Sequence, residues 1–151
     1  MAQVVIDGAV VLVDDEDLPL LQQGRWRILN APGGHRYVVE PDLRQLHRVI
    51  LGGAPDLFVD HINRNGLDNR RCNLREATNS QNQANSRRRL DNTSTYKGVW
   101  RYKKGVRRWA AQLRVNGKRK YLGVFHTAIE AARAYDAAAR QYFGAYARTN
   151  F

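Results

Sequence analysis

The 151-residue chain has a single cysteine, Cys72. One cysteine excludes an internal disulfide and any zinc site built from paired cysteines. No apolar run approaches the ~20 residues that a membrane span requires. The amino-terminal residues lack the basic region and apolar core of a secretion signal. We therefore expect a cytoplasmic protein with no membrane partner.

Acidic residues are scarce in the carboxy-terminal part of the chain. Residues 91–151 contain 13 Lys/Arg and 3 Asp/Glu, whereas residues 1–90 contain 12 Lys/Arg and 11 Asp/Glu. From Lys97 to Lys120 there are ten basic residues and no acidic one. Like charges this dense repel one another unless a partner neutralises them. Nucleic acid is therefore the expected partner, and the alternative is a basic face that only keeps the protein in solution.

Short strand and helix signals alternate along the first 85 residues. Two β-branched runs flank Asp7-Gly8, which predicts a hairpin over residues 4–13. An acidic first turn of a short helix is expected at residues 14–18. Further strands are expected at residues 25–28, 36–39 and 58–62, with a helix over residues 46–50 that Gly52 ends. Residues 63–73 are rich in Asn, Asp and Gly and predict a loop, and a helix is expected after Thr78.

The carboxy-terminal segment predicts a three-stranded antiparallel sheet packed on one helix. Strands are expected at residues 96–102, 108–115 and 118–124, and Asn116-Gly117 is typical of a type I′ hairpin turn. Thr127-Ala128-Ile129-Glu130 predicts a capping box that opens a helix, which Gly144 ends. Residues 86–95 contain three consecutive arginines and almost no apolar side chain. They predict a linker that is either a flexible connector or a contact for phosphate.

Four side chains in the first part of the chain have the chemistry of a phosphodiesterase. Such an enzyme needs a base with a suitable pKa, oxygen ligands for a hard cation, and a group that orients the base. Asp60, His61, Asn73 and Asn82 supply these types. From residue types alone the alternative stays open, because Asn-rich loops are usually only turns and a His beside an Asp is common.

The spacing of these residues resembles the HNH homing-endonuclease family. The resemblance lies in LHR (46–48), VDHIN (59–63), LDNR (67–70), NLR (73–75) and a later Asn-rich helix, and it covers residues 5–88. It implies a ββα-metal module, in which two strands and a helix surround one divalent ion. Asp60 and Asn82 would be metal ligands, His61 the general base, and Asn73 the residue that orients His61 and braces the loop. Oxygen ligands favour Mg²⁺ or Mn²⁺ over zinc.

Two points in this assignment are unresolved by the sequence. Neighbours on a regular strand face opposite sides, so the strand must end or distort near Asp60 and His61 if both serve one site. His47 is equally compatible with a core position beside the site and with a contact to phosphate.

The carboxy-terminal segment closely resembles the Apetala-type (ethylene-response-factor) DNA-binding domain. The resemblance covers residues 95–151 and lies in YKGV (96–99), WAAQLR (109–114), YLGVF (121–125), the following helix and ARTNF (147–151). It implies a sheet that enters the major groove of DNA. The expected DNA contacts are the following polar and aromatic residues: Lys97, Arg101, Arg108, Gln112, Arg114, Arg119 and Tyr121.

The first strand departs from the plant pattern. Trp100 and Tyr102 stand where plant members carry base-contacting arginines, and the loop from Lys103 to Arg107 is longer. A plant target sequence therefore does not transfer to this chain.

Together these observations predict an α+β protein: an HNH nuclease module with an amino-terminal β-rich extension (1–88), a basic linker (86–95) and an Apetala-type domain (95–151). The expected function is a metal-dependent endonuclease of phage or mobile-element type that cuts double-stranded DNA, with Mg²⁺ or Mn²⁺ and no small-molecule cofactor. The rivals are a non-catalytic DNA-binding regulator on a decayed nuclease scaffold and an RNA-binding protein. The major groove of A-form RNA is too narrow for a sheet, which disfavours the latter.

Overall fold

The computed structural model describes residues 1–87, 94–103 and 108–151. They form two units, Met1–Thr78 and Asn79–Phe151, and both mix helices with small antiparallel sheets. The predicted α+β class is therefore confirmed. No helix in those ranges is long and apolar enough to cross a membrane. Much of the predicted linker, residues 86–95, lies outside the described residues, so the proposed domain boundaries stay a prediction.

Two antiparallel hairpins account for the first four strands. They are β1 (Ala2–Ile6), β2 (Ala9–Val13), β3 (Arg27–Ala31) and β4 (His35–Val39). Asp7 and Gly8 both have positive φ, 48° and 76°, which is the geometry that the Asp-Gly signal predicted for the first turn. The acidic run forms a 3₁₀ turn, Asp15–Asp17, ahead of α1 (Leu18–Gln23).

The remaining elements of the first unit build the segment that carries the candidate site. They are α2 (Leu46–Leu51), β5 (Phe58–His61) and β6 (Leu74–Ala77). β5 and β6 pair antiparallel, with Asp60 opposite Arg75 and His61 opposite Leu74. The loop between them ends in a 3₁₀ turn, Arg71–Asn73. The sequence did not predict β6, and its pairing with β5 brings both ends of the polar loop together.

Aliphatic side chains from every part of the first unit form its core. Strand residues Val11, Val13 and Val38 are fully buried, as is Leu46 at the start of α2. Val59, Leu67 and Leu74 extend the same cluster under the polar loop. Burying apolar surface stabilises a fold by about 25 cal/mol per Å² removed from water. These shared apolar contacts therefore hold the loop to the hairpins.

The second unit begins with α3 (Asn79–Asn85) and continues into a three-stranded sheet and a long helix. These elements are β7 (Val99–Arg101), β8 (Trp109–Val115), β9 (Lys118–Phe125) and α4 (Ala128–Phe143). The sheet is antiparallel in the order β7-β8-β9. Asn116 and Gly117 have positive φ of 49° and 77°, as a type I′ turn requires. The predicted capping box at Thr127 and Glu130 is present, and Gly144 caps the other end of α4.

Small side chains let α4 pack closely in the second unit. Ala131 and Ala132 are fully buried in one cluster with Val99 and Ala111. A second buried cluster contains Tyr135, Ala139 and Phe143 of α4, together with Leu113 of β8 and Ala84 of α3. Because α3 contributes Ala84 to this core, the helix that the sequence grouped with the nuclease module is packed within the second unit.

Candidate functional site

Asp60 and His61 are the last two residues of β5, and both side chains are buried, at 6% and 5% exposure. The strand ends directly after His61, and Arg64, three residues further on, has a positive φ of 63°. The strand pairs regularly with β6 through both residues and ends directly after them, so the service of both side chains at one site stays a prediction. An acidic and an imidazole side chain are thus held next to each other inside the first unit.

A short polar network fixes the His61 ring. The His61 Nε2 atom lies 3.2 Å from Asn69 Oδ1, and Asn69 Nδ2 donates to the Gly66 carbonyl oxygen at 3.3 Å. Burial lowers the pKa of His61, and its bond to Asn69 opposes that shift more weakly. The imidazole is therefore neutral near pH 7, which is the form that accepts a proton.

Two aromatic rings pack on the imidazole of His61. His47 meets it edge-on with ring centroids 4.7 Å apart, and the ring of Tyr37 lies 6.2 Å away. His47 is buried, and its Nδ1 atom has no hydrogen-bond partner among the residues that the structure describes. Burial, with smaller contributions from His61 and Arg48, lowers the pKa of His47 to about 3. This position agrees with a core residue beside the site rather than with an exposed contact to phosphate.

Asp60 forms a buried ion pair with Arg75 of the neighbouring strand. The Arg75 Nε and Nη2 atoms both donate to Asp60 Oδ2, at 3.0 and 2.8 Å. The two residues face each other in the β5–β6 register. The guanidinium group compensates the cost of burying the carboxylate and fixes its direction. Sequence reasoning assigned Arg75 no role, although it is the Arg of the NLR segment.

Asn73 braces the polar loop, as one half of its predicted role required. Its amide nitrogen donates to the Asp68 carbonyl at 2.7 Å and to Asn63 Oδ1 at 3.0 Å, and its Oδ1 accepts from the Asn63 backbone at 3.0 Å. The Asn69 side chain lies within hydrogen-bond distance of the His61 ring. The role of Asn73 in orienting His61 stays a prediction.

Asp68 makes a second group of hydrogen bonds within the polar loop. It binds Arg70 through two charge-assisted bonds of 2.7 Å and accepts from Asn63 Nδ2 at 2.7 Å. The bond to Arg70 is the main reason why the pKa of Asp68 is lowered. A loop of polar residues this closely paired is a rigid support, in contrast to the solvated turn that its composition alone suggests.

The amino-terminal hairpin also holds the loop. Leu12 of β2 exchanges two backbone bonds with it, donating to Leu67 at 2.9 Å and accepting from Asn69 at 2.8 Å. Arg71 adds a two-pronged ion pair with buried Asp17. The β-rich extension thus contributes directly to the geometry around His61.

Asn82, the other predicted metal ligand, lies on α3 and belongs to the second unit. Within residues 1–87, 94–103 and 108–151, no group of three or more His, Cys, Asp or Glu side chains is arranged to hold a metal ion. The assignment of Asp60 and Asn82 as ligands therefore stays a prediction.

Four of the predicted DNA contacts lie on one face of the sheet. In the β8–β9 register Gln112 faces Tyr121 and Arg114 faces Arg119, and directly opposed residues share a face. Leu113, between them, packs into the core with α4 on the other side. Tyr121 is 57% exposed, and Arg114 and Arg119 are exposed as well. We call these four residues the outer face.

The other three predicted contacts have different surroundings. Arg101 faces Trp109 across the β7–β8 pair, and its guanidinium lies 5.1 Å above that ring. Arg108 is exposed just before β8. The Lys97 ammonium group donates to the carbonyls of Ala84 and Ser86 at the end of α3. Lys97 is therefore engaged within its own unit, which sequence reasoning did not anticipate.

Comparison with known proteins gave two kinds of relative. The chain is 32% identical over 156 aligned positions, 95% of its length, to an uncharacterized HNH endonuclease of Acanthamoeba polyphaga mimivirus, of which it covers 75%. It is 56% identical over 46 residues to an ethylene-responsive transcription factor of Arabidopsis thaliana, and 48% identical over 58 residues to a dehydration-responsive element-binding protein of Oryza sativa. These matches cover 29% and 37% of this chain, and 18% and 20% of the plant proteins. No family model matches the chain.

Proposed function

Because the chain belongs to the HNH endonuclease family, we propose that it is a metal-dependent endonuclease that hydrolyses phosphodiester bonds in double-stranded DNA. The observation that carries the proposal is the burial of Asp60 and His61 side by side at the end of β5. A decayed site would tolerate the loss of either residue, and both are present. The phage and homing character suggested by the sequence is part of the proposal.

His61 is the proposed general base. Its neutral imidazole removes a proton from the water that attacks the phosphorus atom, a contribution typically worth about 10²–10⁴ in rate. The lowered pKa supports this role, because the ring stays unprotonated at neutral pH.

Asp60 is the proposed protein ligand of a Mg²⁺ or Mn²⁺ ion in the first unit, and the family resemblance assigns Asn82 as a further ligand. The donor set fits: Mg²⁺ prefers oxygen donors and usually keeps several waters, so it does not need a cluster of three acidic side chains. When bound, the ion supplies charge neutralisation at the phosphate. Arg75 holds the Asp60 carboxylate in a fixed direction independently of the ion.

The outer face of the second unit is the proposed DNA-binding surface. It presents Arg114, Arg119, Gln112 and Tyr121 together, and arginine recognises guanine edges or phosphates through paired hydrogen bonds. The two plant relatives are by name a transcription factor and an element-binding protein, which supports DNA as the partner. Contact in the major groove is part of the proposal, because that groove is wide enough to admit strands. Arg108 and Arg101 would add contacts at the edge.

A plasmid-cleavage assay tests the proposal. We expect the purified chain to nick or linearise supercoiled plasmid in Mg²⁺ or Mn²⁺ and to stop when a chelator is added. Cleavage that persists undiminished in chelator would contradict the metal mechanism. Tight binding of duplex DNA with no cleavage in either ion would instead favour the non-catalytic regulator.

A further inference from the structure

Two aromatic rings lie together on the side of the sheet that carries the outer face. Val99 of β7 is fully buried in a cluster with alanines of α4, so Trp100, the next residue of the strand, points to the opposite side, where Tyr121 lies. The ring centroids of Trp100 and Tyr121 are 6.5 Å apart. We propose that Trp100 is a specificity-determining residue that recognises thymine in duplex DNA through apolar contact with its C5-methyl group. This inference rests on the proposed function, in which the outer face binds DNA.

The two rings meet above the middle strand of the sheet. Trp100 faces Ala110 of β8 in the β7–β8 register, and Tyr121 belongs to β9 on the far side of β8. Strands two apart in a sheet are separated by about 9.5 Å, so rings only 6.5 Å apart lean towards each other over β8. Ala111 packs in the core, so Ala110 points away from α4, and it is nevertheless fully buried. The small side chain of Ala110 leaves room for the rings that lean over it.

The aromatic pair offers an apolar surface to the major groove. Tyr121 is 57% exposed and Trp100 is partly exposed, so both rings are accessible. Indole has a single N–H donor and phenol a single hydroxyl, so neither ring makes the paired hydrogen bonds with which arginine recognises guanine. The C5-methyl group of thymine is the apolar group that base pairs present in the major groove. Thymine is therefore the base whose edge fits this surface.

The angle between the rings disfavours an unpaired base as the occupant. Proteins that bind single strands stack successive bases on open aromatic faces. The planes of Trp100 and Tyr121 are inclined by 56° and lean together, which leaves no flat platform between them. Contact with the edge of a paired base is compatible with this geometry.

The arginines of the outer face lie at a fixed spacing from the aromatic pair. Arg114 faces Arg119 four residues along β8 from Ala110, which is about 13 Å at about 3.3 Å per residue. Base pairs follow one another at about 3.4 Å along the helix axis, so a strand that lies along the groove covers about four steps over this length. We therefore expect a binding site with guanine on the arginine side and thymine about four base pairs away.

Binding of synthetic duplexes by the full chain tests the inference, in a chelator so that cleavage does not intervene. Selection from a random duplex library supplies the probe, and the best-bound duplex is resynthesised with deoxyuridine in place of thymidine, one position at a time. Uracil keeps the hydrogen-bonding groups of thymine and lacks only its methyl group. Burial of one methyl-sized group is worth about fourfold in an equilibrium constant. We expect about a fourfold loss of affinity at one or two adjacent positions.

Variants assign the methyl contact to Trp100. We expect Trp100→Ala to bind the thymidine and deoxyuridine duplexes equally at those positions, and Trp100→Phe, which keeps an apolar ring, to retain most of the difference. The matched control is Tyr142→Ala, which removes an exposed ring from α4 on the other side of the sheet. We expect it to keep the fourfold difference.

The measurement on the wild type is independent of how the variants fold. Equal affinity for deoxyuridine and thymidine at every position of the probe would overturn the inference, while the DNA-binding role of the outer face would stand. A full fourfold difference in folded Trp100→Ala would overturn it as well, because another residue would then contact the methyl group. Tighter binding of either single strand than of the duplex would show that the rings stack on unpaired bases and would also overturn it. If the full chain bound no duplex at all, the proposed role of the outer face would fail and the inference with it.

Discussion

At the scale of single residues, His47 has a consequence for stability that is independent of catalysis. The ring is buried beside His61 and has a pKa of about 3, whereas an unfolded histidine titrates near 6.5. Between these two values the unfolded chain binds more protons than the folded chain. The free energy of unfolding therefore falls as the pH drops from about 6.5 towards 3, by up to about 1.4 kcal/mol per pH unit.

Replacing His47 with phenylalanine tests this dependence. We expect His47→Phe to lose less stability than the wild type as the pH falls from 7 to 5. The measurement is the protection of amide hydrogens from exchange in the first unit at each pH. The control is His126→Phe, because His126 is exposed in the second unit. An unchanged pH dependence in His47→Phe would mean that the His47 ring is not held in its neutral form.

The types of residue at the site could be read from the sequence, but their contacts could not. Asp60 and His61 stand in a recognisable motif, and the Asn-rich loop behind them indicated that the strand ends near this pair, but their burial was not predicted. The loop contains four asparagines, at 63, 65, 69 and 73, and nothing in their spacing indicates which one meets the His61 ring. That choice is made by the bonds between the loop and β2, which join residues more than fifty positions apart.

At the scale of elements, turn chemistry predicted the hairpins well because two-residue turns restrict φ locally. Asp7-Gly8 and Asn116-Gly117 both adopt the expected positive φ. β6 was missed because Leu74–Ala77 has neither alternation nor β-branched residues, and only its pairing with β5 makes it a strand. The strand expected over residues 96–102 is shorter, since Gly98 has a φ of +73° and β7 starts at Val99.

Gly98 and Gly117 have similar positive φ angles but different surroundings, so the same substitution at each distinguishes backbone strain from overpacking. A Cβ atom at Gly98 would lie 2.1 Å from the Tyr135 ring, whereas one at Gly117, with φ of +77°, would meet no atom within 4 Å. We expect Gly117→Ala to cost only the left-handed penalty of about 1–2 kcal/mol, and Gly98→Ala to cost about 1–3 kcal/mol more through overpacking. Equal losses in a denaturant titration of the second unit would show that the helix does not pack closely at Gly98.

The end of α3 depends on Lys97. Its ammonium group donates to the carbonyls of Ala84 and Ser86, groups that a helix end leaves without partners. Burial lowers the pKa of Lys97 to about 8, so the group is charged at neutral pH. We expect Lys97→Met to speed amide hydrogen exchange across α3 and to change the affinity for DNA less than Arg114→Ala does. A larger loss of DNA affinity in Lys97→Met than in Arg114→Ala would show instead that Lys97 contacts DNA.

At the scale of the whole molecule, charge separates the two units. Residues 79–151 contain 16 Lys/Arg and 3 Asp/Glu, and residues 1–78 contain 9 Lys/Arg and 11 Asp/Glu. Since each phosphate contact releases counterions, the affinity for duplex DNA should fall steeply with salt. We expect Arg119→Ala in the full chain to reduce the slope of log affinity against log salt by about one.

The control for this measurement is Arg44→Ala in the first unit, where Arg44 is exposed and paired with Glu40. We expect it to leave the slope unchanged. A slope that falls in Arg44→Ala and not in Arg119→Ala would place the phosphate contacts on the first unit and would contradict the assignment of the outer face.

The buried His61 is the proposed base of a metal-dependent nuclease. Its most direct test is the rate of plasmid cleavage in Mg²⁺ by the wild type, by His61→Ala and by the surface control His126→Ala, with DNA affinity measured for all three. We expect His61→Ala to lose about 10²–10⁴ in rate while its affinity for DNA stays within a few-fold, and His126→Ala to cleave like the wild type. Wild-type cleavage by folded His61→Ala would contradict it.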